Sequence, residues 1–142
     1  MKIRLVSVGK DKGPTAELTA EYTERICRFA DLDVIELRAE GPAREGEALL
    51  AKARGELWAL DERGASLSSS QLAQRIGKLR DSAQGLTLCI GGDEGLAQPV
   101  RDAARFVWSL SALTLPHRLA RVVALEQLYR AFEILRGGPY HK

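Results

Sequence analysis

Polar and apolar positions alternate from Lys2 to Val8, with Ile3, Leu5 or Val6, and Val8 facing inward, which predicts a strand. The loop Gly9–Gly13 follows, and Pro14 suits the first turn of a helix, where a missing N–H costs nothing. Leu18, Tyr22, Ile26 and Phe29 recur at near-helical spacing and give that helix one buried stripe. Leu32 to Leu37 reads as a second strand, Gly41 to Gly46 as a polar turn, and Ala48 to Arg54 as a short helix. Leu57 to Leu60 is a continuous apolar strand ending in a loop, Asp61 to Gly64. Ser68 and Gln71 have capping-box spacing and open a helix with Leu72, Ile76 and Leu79 on one face.

Leu86 to Ile90 is a fully apolar strand that runs into Gly91 to Gly95. Pro99 starts a helix reaching about Phe106, and Val107 to Leu115 reads as a strand and an irregular loop closed by Pro116. Leu119 to Leu135 is the longest helix, with Glu126 and Arg130 in the favourable i,i+4 order. Gly137, Gly138 and Pro139 stop it before a tail, Tyr140 to Lys142.

Strand and helix alternate five times, and the later strands are apolar throughout. That pattern predicts a single α/β domain over residues 1–142, built on a parallel sheet with helices on both faces. Ligands in such folds sit beyond the carboxyl ends of the strands. Three segments are expected there: 61–64, 91–95 and 109–116.

Composition excludes classes more than it selects one. A 45% hydrophobic content and a net charge of +2 rule out a disordered chain. No apolar run approaches the ~20 residues of a spanning helix, and the N-terminus lacks the apolar block of a signal peptide, so no membrane partner is expected. Cys27 and Cys89 form no CxxC and sit in apolar contexts, so two buried thiols in a reducing cytoplasm are expected. The charge is uneven: residues 99–142 carry seven Lys/Arg against three Asp/Glu. Arg outnumbers Lys 15 to 6. Both features hint at an anionic partner near the C-terminal third.

Candidate chemistry is sparse. There is no G-x-G-x-x-G after the first strand and no Walker A sequence, which disfavours a classical NAD or ATP site. His117 and His141 have no metal-ligand spacing, so no metal is expected. Gly91, Gly92 and Gly95 are either a plain turn or a place where a flat ligand approaches the backbone. Trp108 to His117 mixes leucines with small hydroxyls and ends in Pro-His. It is either an ordinary strand and turn or a segment offering backbone groups to a purine edge.

Taken together, Leu60-Asp61-Glu62-Arg63-Gly64, Ile90 to Gly95, Trp108 to His117, Glu126 to Ala131 and Pro139 to Lys142 resemble the ribosomal RNA large subunit methyltransferase H family. Lys2 to Lys10 matches as well, and the chain differs from typical members by a shorter segment between Glu40 and Glu56. The resemblance implies a SPOUT-class α/β fold with a C-terminal trefoil knot and a homodimer with cofactor pockets at the interface. It implies transfer of a methyl group from S-adenosylmethionine to N3 of a pseudouridine in a stem-loop of 23S ribosomal RNA, within the assembled 70S ribosome. It places Leu60, Gly91, Gly92, Leu110, Ser111, Ala112, Leu113, Thr114 and Leu115 at the cofactor. Gly91 and Gly92 are expected to leave room for the ribose and the methionine arm.

Deprotonation of the pseudouridine N3–H calls for a base or a nearby cation. His117 and His141 are the candidates by proximity to the motifs; Arg118, Arg121 and Arg130 are expected to hold phosphate or stabilise the developing anion, and Tyr140 to stack on a base, so that His117, Arg121, Tyr140 and His141 form the expected catalytic set. The apolar residues of the last helix fill more than one stripe, which suits a dimer surface. Two other readings stay open: a SPOUT methyltransferase acting on another RNA site, and a non-catalytic ribosome-binding dimer. A modest charge makes a poor binder of naked RNA, so a structured ribosomal substrate is expected.

Overall fold

The computed structural model describes residues 1–142. Its elements, in order, are β1 (Lys2–Val8), α1 (Pro14–Ile26), β2 (Asp31–Leu37), α2 (Pro42–Lys52), β3 (Glu56–Ser66), α3 (Ser69–Asp81), β4 (Leu86–Ile90), α4 (Gln98–Ala103), β5 (Phe106–Ser109) and α5 (His117–Leu135). The five strands pair in parallel in the order β2-β1-β4-β3-β5. The expected parallel α/β architecture is therefore the observed one.

The sheet separates two cores. The larger joins Ile3, Leu5, Trp58 and Leu88 to residues of α1, α3 and α5. Phe29 stacks on Phe132 there with ring centroids 5.5 Å apart, and Trp108 meets Trp58 edge-on at 6.1 Å. The smaller joins Val6, Ala59 and Cys89 to Leu49 of α2 and Val100 of α4. β4 lies between β1 and β3 and is buried along its whole length, which explains its unbroken apolar run.

Local chemistry moves several boundaries. α2 starts at Pro42, not Ala48, because the Glu45 carboxylate turns back to accept hydrogen bonds from the Glu40 and Gly41 N–H groups, both at 2.9 Å. That one-sided contact satisfies two N–H groups at the helix start, so the polar residues 41–46, expected as a turn, begin the helix. α4 ends at Ala103 rather than near Phe106, because the Arg105 N–H is drawn 2.8 Å from the Leu57 carbonyl and begins the β5 pairing. α5 begins two residues early, at His117.

The segment 61–64, expected as a loop, is a bulge inside the long strand β3. Pairing with β5 holds at Leu60↔Trp108, skips, and resumes at Ala65↔Trp108. Gly64 permits the close approach, since a Cβ there would sit 2.5 Å from the Val107 carbonyl oxygen. Ser68 and Gln71 form the expected capping box, with bonds of 3.1 and 2.9 Å. Cys27 departs from expectation: it caps α1 on the surface, whereas Cys89 is buried, and burial pushes its thiol up to about 12.

Candidate active site

The carboxyl ends of β3, β4 and β5 open into a cleft of about 730 Å³, within the range of small-molecule sites. Its walls are the β3 bulge, the turn 91–95 and the loop 110–116, with His117 and Ala120 at its edge. The three sequence-predicted segments therefore meet in one place. A smaller groove of about 520 Å³, lined by Glu56, Arg75 and Lys78 among others, lies at the amino end of β3 and takes in none of these motifs.

The loop after β5 is held from the outside and open on the inside. The Ser109 hydroxyl donates to the carbonyls of Glu62 and Ser111, at 3.1 and 2.9 Å. The Thr114 hydroxyl donates to the Glu62 carboxylate at 2.5 Å, fastening the loop to the β3 bulge. The Leu113 N–H donates to Ser111 Oγ at 3.0 Å, but the N–H groups of Ser111, Ala112, Thr114 and Leu115 have no partner in the protein. Leu113 is 73% exposed beside them. Unpaired backbone donors and acceptors next to exposed leucine are what a flat heterocycle with a polar edge requires.

The glycines act differently from the expectation that they leave room for a ligand. A Cβ on Gly91 would sit 2.6 Å from the Gly95 carbonyl carbon, and one on Gly92 would sit 3.1 Å from Val8 Cγ1. Their bare α-carbons let the turn close on itself through the Gly92↔Gly95 bridge. The space goes to the protein's own backbone, and the turn so formed becomes the cleft wall.

Acidic groups dominate the rim. Asp61, Glu62, Asp93 and Glu94 face Arg63 and His117. Asp61 is paired with Arg63 at 2.9 Å and Arg101 at 3.1 Å. The hydrogen bond from Arg63, opposed by burial and helped by Arg101, lowers its carboxyl to about 2. His117 Nδ1 lies 3.4 Å from Asp93 Oδ1, and its other nitrogen faces Gly9.

The remaining candidates lie elsewhere. Arg121 is 1% exposed and donates to Glu36 at 2.8 Å and to the Gly9 carbonyl at 3.2 Å, with Asp11 at 3.5 Å. It is committed to the protein's own carboxylates, so it positions the β1–α1 loop and does not face the cleft. Asp11 is pushed up by burial, yet hydrogen bonds from Thr15 and the charge of Arg121 bring it below the usual carboxylate range.

Tyr140 donates to Glu126 at 3.0 Å and packs edge-on against Tyr129 at 4.7 Å. Burial and its contact with Glu126 hold its phenol well above the usual range. His141 Nδ1 sits 3.1 Å from Arg130, which binds Glu126 at 2.6 Å. The tail is thus anchored at residues 126–130 of α5. Nine residues of helix, roughly 13 Å at 1.5 Å per residue, separate Glu126 from His117. Within one chain, Tyr140 and His141 do not join the cleft. The involvement of Asp11 and Glu36 was missed, since nothing in sequence order links them to Arg121.

A topologically parallel sheet with its cleft at a strand–loop–helix junction is the frame of the SPOUT methyltransferases. Residues 1–141 match the family described as predicted SPOUT methyltransferase, and the chain belongs to it. Within that class it belongs with the proteins called ribosomal RNA large subunit methyltransferase H. The chain is 42% identical to the one from Anaeromyxobacter sp. (strain Fw109-5) and covers all of both chains. It is 44% identical to that of Mesorhizobium japonicum, covering all of this chain and 99% of the other.

Solved structures agree on the fold. A probable methylase family protein from Haemophilus influenzae superposes with a TM-score of 0.63 at 10% identity, over 99% of this chain and 70% of the other. The SpoU methyltransferase AviRb from Streptomyces viridochromogenes, solved with AdoMet, gives 0.50 at 16% identity, over 97% of this chain and 58% of that one. No helix here is long and apolar enough to cross a membrane, and no cluster of three metal-ligating side chains is present.

Proposed function

We propose that the chain is an S-adenosylmethionine-dependent methyltransferase acting on N3 of a pseudouridine in 23S ribosomal RNA within the 70S ribosome. The observation that carries the reading is the loop 111–115, whose unpaired N–H groups lie beside exposed Leu113 in the cleft. Adenine has an apolar face and a hydrogen-bonding edge, and this loop offers partners for both. The cofactor carries a net positive charge at neutral pH, and the rim carries four carboxylates. When bound, it supplies an electrophilic methyl group on a sulfonium.

The residues of this chain do the rest by positioning. Leu60 and the loop leucines exclude water from the bound face. The turn 91–95 fixes the wall beside it, closed by its own glycines. His117 is the titratable nitrogen base at the edge of the cleft, and it takes the N3 proton so that the nitrogen can act as nucleophile. Asp93, at 3.4 Å, orients the ring.

The same reading includes a trefoil knot at the C-terminal segment and a homodimer in the cytoplasm. Two of the three exposed large hydrophobics, Leu18 at 40% and Leu119 at 42%, lie on the packed pair α1 and α5, which supports a shared surface there. In a dimer the tail of the partner subunit is the one that reaches the cleft, which reconciles functional Tyr140 and His141 with their distance from it.

Mass spectrometry of rRNA fragments tests the reading, after incubating protein and cofactor with 70S ribosomes, separated subunits and free rRNA. The expected result is one added methyl on a 23S fragment, from 70S particles only. Methylation of free rRNA, or of transfer RNA alone, would point to a different RNA substrate. Absence of any methylated product would favour the non-catalytic dimer.

A further inference from the structure

The β1–α1 loop sorts its charges by direction. Its sequence is Gly9-Lys10-Asp11-Lys12-Gly13. The one acid turns inward: the Asp11 side chain is 5% exposed and accepts from Thr15 at 2.6 Å, from Thr19 at 3.3 Å and from the Lys12 N–H at 2.9 Å. Arg121 stands 3.5 Å away on the inner side. The Asp11 N–H is also bound, donating to Glu36 at 2.6 Å. Both lysines are exposed, and neither has a carboxylate within 4 Å.

The clamp below explains why the loop keeps this arrangement. Arg121, Glu36 and the Gly9 carbonyl tie it to the end of β2 and to α5, one turn from His117. Gly9 packs against the His117 ring, where a Cβ would lie 3.5 Å from Nε2. Arg118, next to His117, adds a third cation without an acid partner, and its Nε is buried with no hydrogen bond. The cleft rim is acidic and repels phosphate. The uncompensated cations beside it are the two lysines of this loop and Arg118 at the start of α5.

We infer that the β1–α1 loop is a phosphate-binding element, in which Lys10 and Lys12 hold the RNA backbone flanking the target nucleotide while Asp11 and Arg121 fix their direction. The inference rests on an RNA substrate and assigns the contacts that seat it. Two phosphate contacts release counterions and give binding a salt dependence of their own.

The test is a Lys10→Gln/Lys12→Gln double variant of the full chain, with ribosome binding followed by co-sedimentation across a salt series. A Lys2→Gln/Lys78→Gln variant removes the same charge at the amino ends of the strands. The loop variant should bind 70S ribosomes on the order of tenfold more weakly. The slope of log affinity against log salt should drop by roughly 1.4 to 1.8, the value for two phosphates. S-adenosylmethionine affinity and the thermal midpoint should stay at wild type, and so should ribosome binding by the control variant.

Wild-type affinity and slope in the loop variant would overturn the inference, and so would an equal loss in the control, which would reduce the effect to net charge. Sedimentation needs no turnover, so a wild-type protein that binds ribosomes but leaves them unmethylated contradicts the proposed reaction alone. A wild-type protein that binds no ribosomes contradicts both.

Discussion

The two ends of α5 carry two polar networks of opposite design. At its start, Arg121 and Asp11 are buried, with Glu36 at the surface, and the network braces a loop beside the cleft. Toward its end, Glu126, Arg130, Tyr140 and His141 form a half-exposed network that pins the tail to the helix. The first is part of the folded frame. The second holds a three-residue tail, of which Tyr140 packs against the edge of the core. The difference shows that proximity in sequence to a motif does not decide which residues line the cleft: Arg121 lies four residues after His117 yet is buried against Asp11, and the tail is pinned to α5 away from the cleft of its own chain.

The sharpest way to break the contrast is Arg121→Ala. It leaves the buried Asp11 carboxylate without its cation and empties the volume of a fully buried side chain, and the expected cost is about 3 kcal/mol or more, seen as a thermal midpoint lower by on the order of 10 °C. A variant that melts like wild type would make the inner network as dispensable as the outer one.

Next in size is Gly91→Val. Its Cβ meets the Gly95 backbone at 2.6 Å, so the turn must open. Cofactor affinity should fall on the order of a hundredfold in calorimetry, while the oligomeric state in gel filtration is unchanged. Retained affinity would show that the turn does not form the wall.

Deleting residues 140–142 comes third. It should spare cofactor affinity and lower methylation of ribosomes several-fold. Full activity would make the tail structural only.

The smallest effect concerns acid stability. Asp61 titrates at about 2 in the folded chain, because of Arg63 first, against an ordinary 3.8. A depressed folded value means its contribution is complete above 3.8 and is lost as pH falls through about 2. Asp61→Asn should be less stable at neutral pH by about 2 kcal/mol at most, with the urea midpoints of variant and wild type converging toward pH 2. Parallel curves across that window would deny the ion pair its role.

The parallel sheet was legible in the sequence because its signals are local: the buried run Leu86–Ile90, the capping box at Ser68, and the proline-led helices. The bulge in β3 was not legible, because it depends on a non-local fit of Gly64 against Val107. The early start of α2 was hidden for a related reason, since Glu45 is a polar residue in a polar stretch until its carboxylate is seen capping the chain behind it. For the site, the motifs named the cleft walls correctly as a set. They could not separate His117, which lines the cleft, from Arg121, which lies one helical turn further on and is buried against Asp11 and Glu36.

The account stands most directly on titration calorimetry of the wild-type protein with S-adenosylmethionine. The prediction is saturable binding of one cofactor per chain, kept when residues 140–142 are removed and weakened on the order of a hundredfold in Gly91→Val. No binding heat in a folded wild-type sample, or binding that survives Gly91→Val and disappears with the tail, would contradict it.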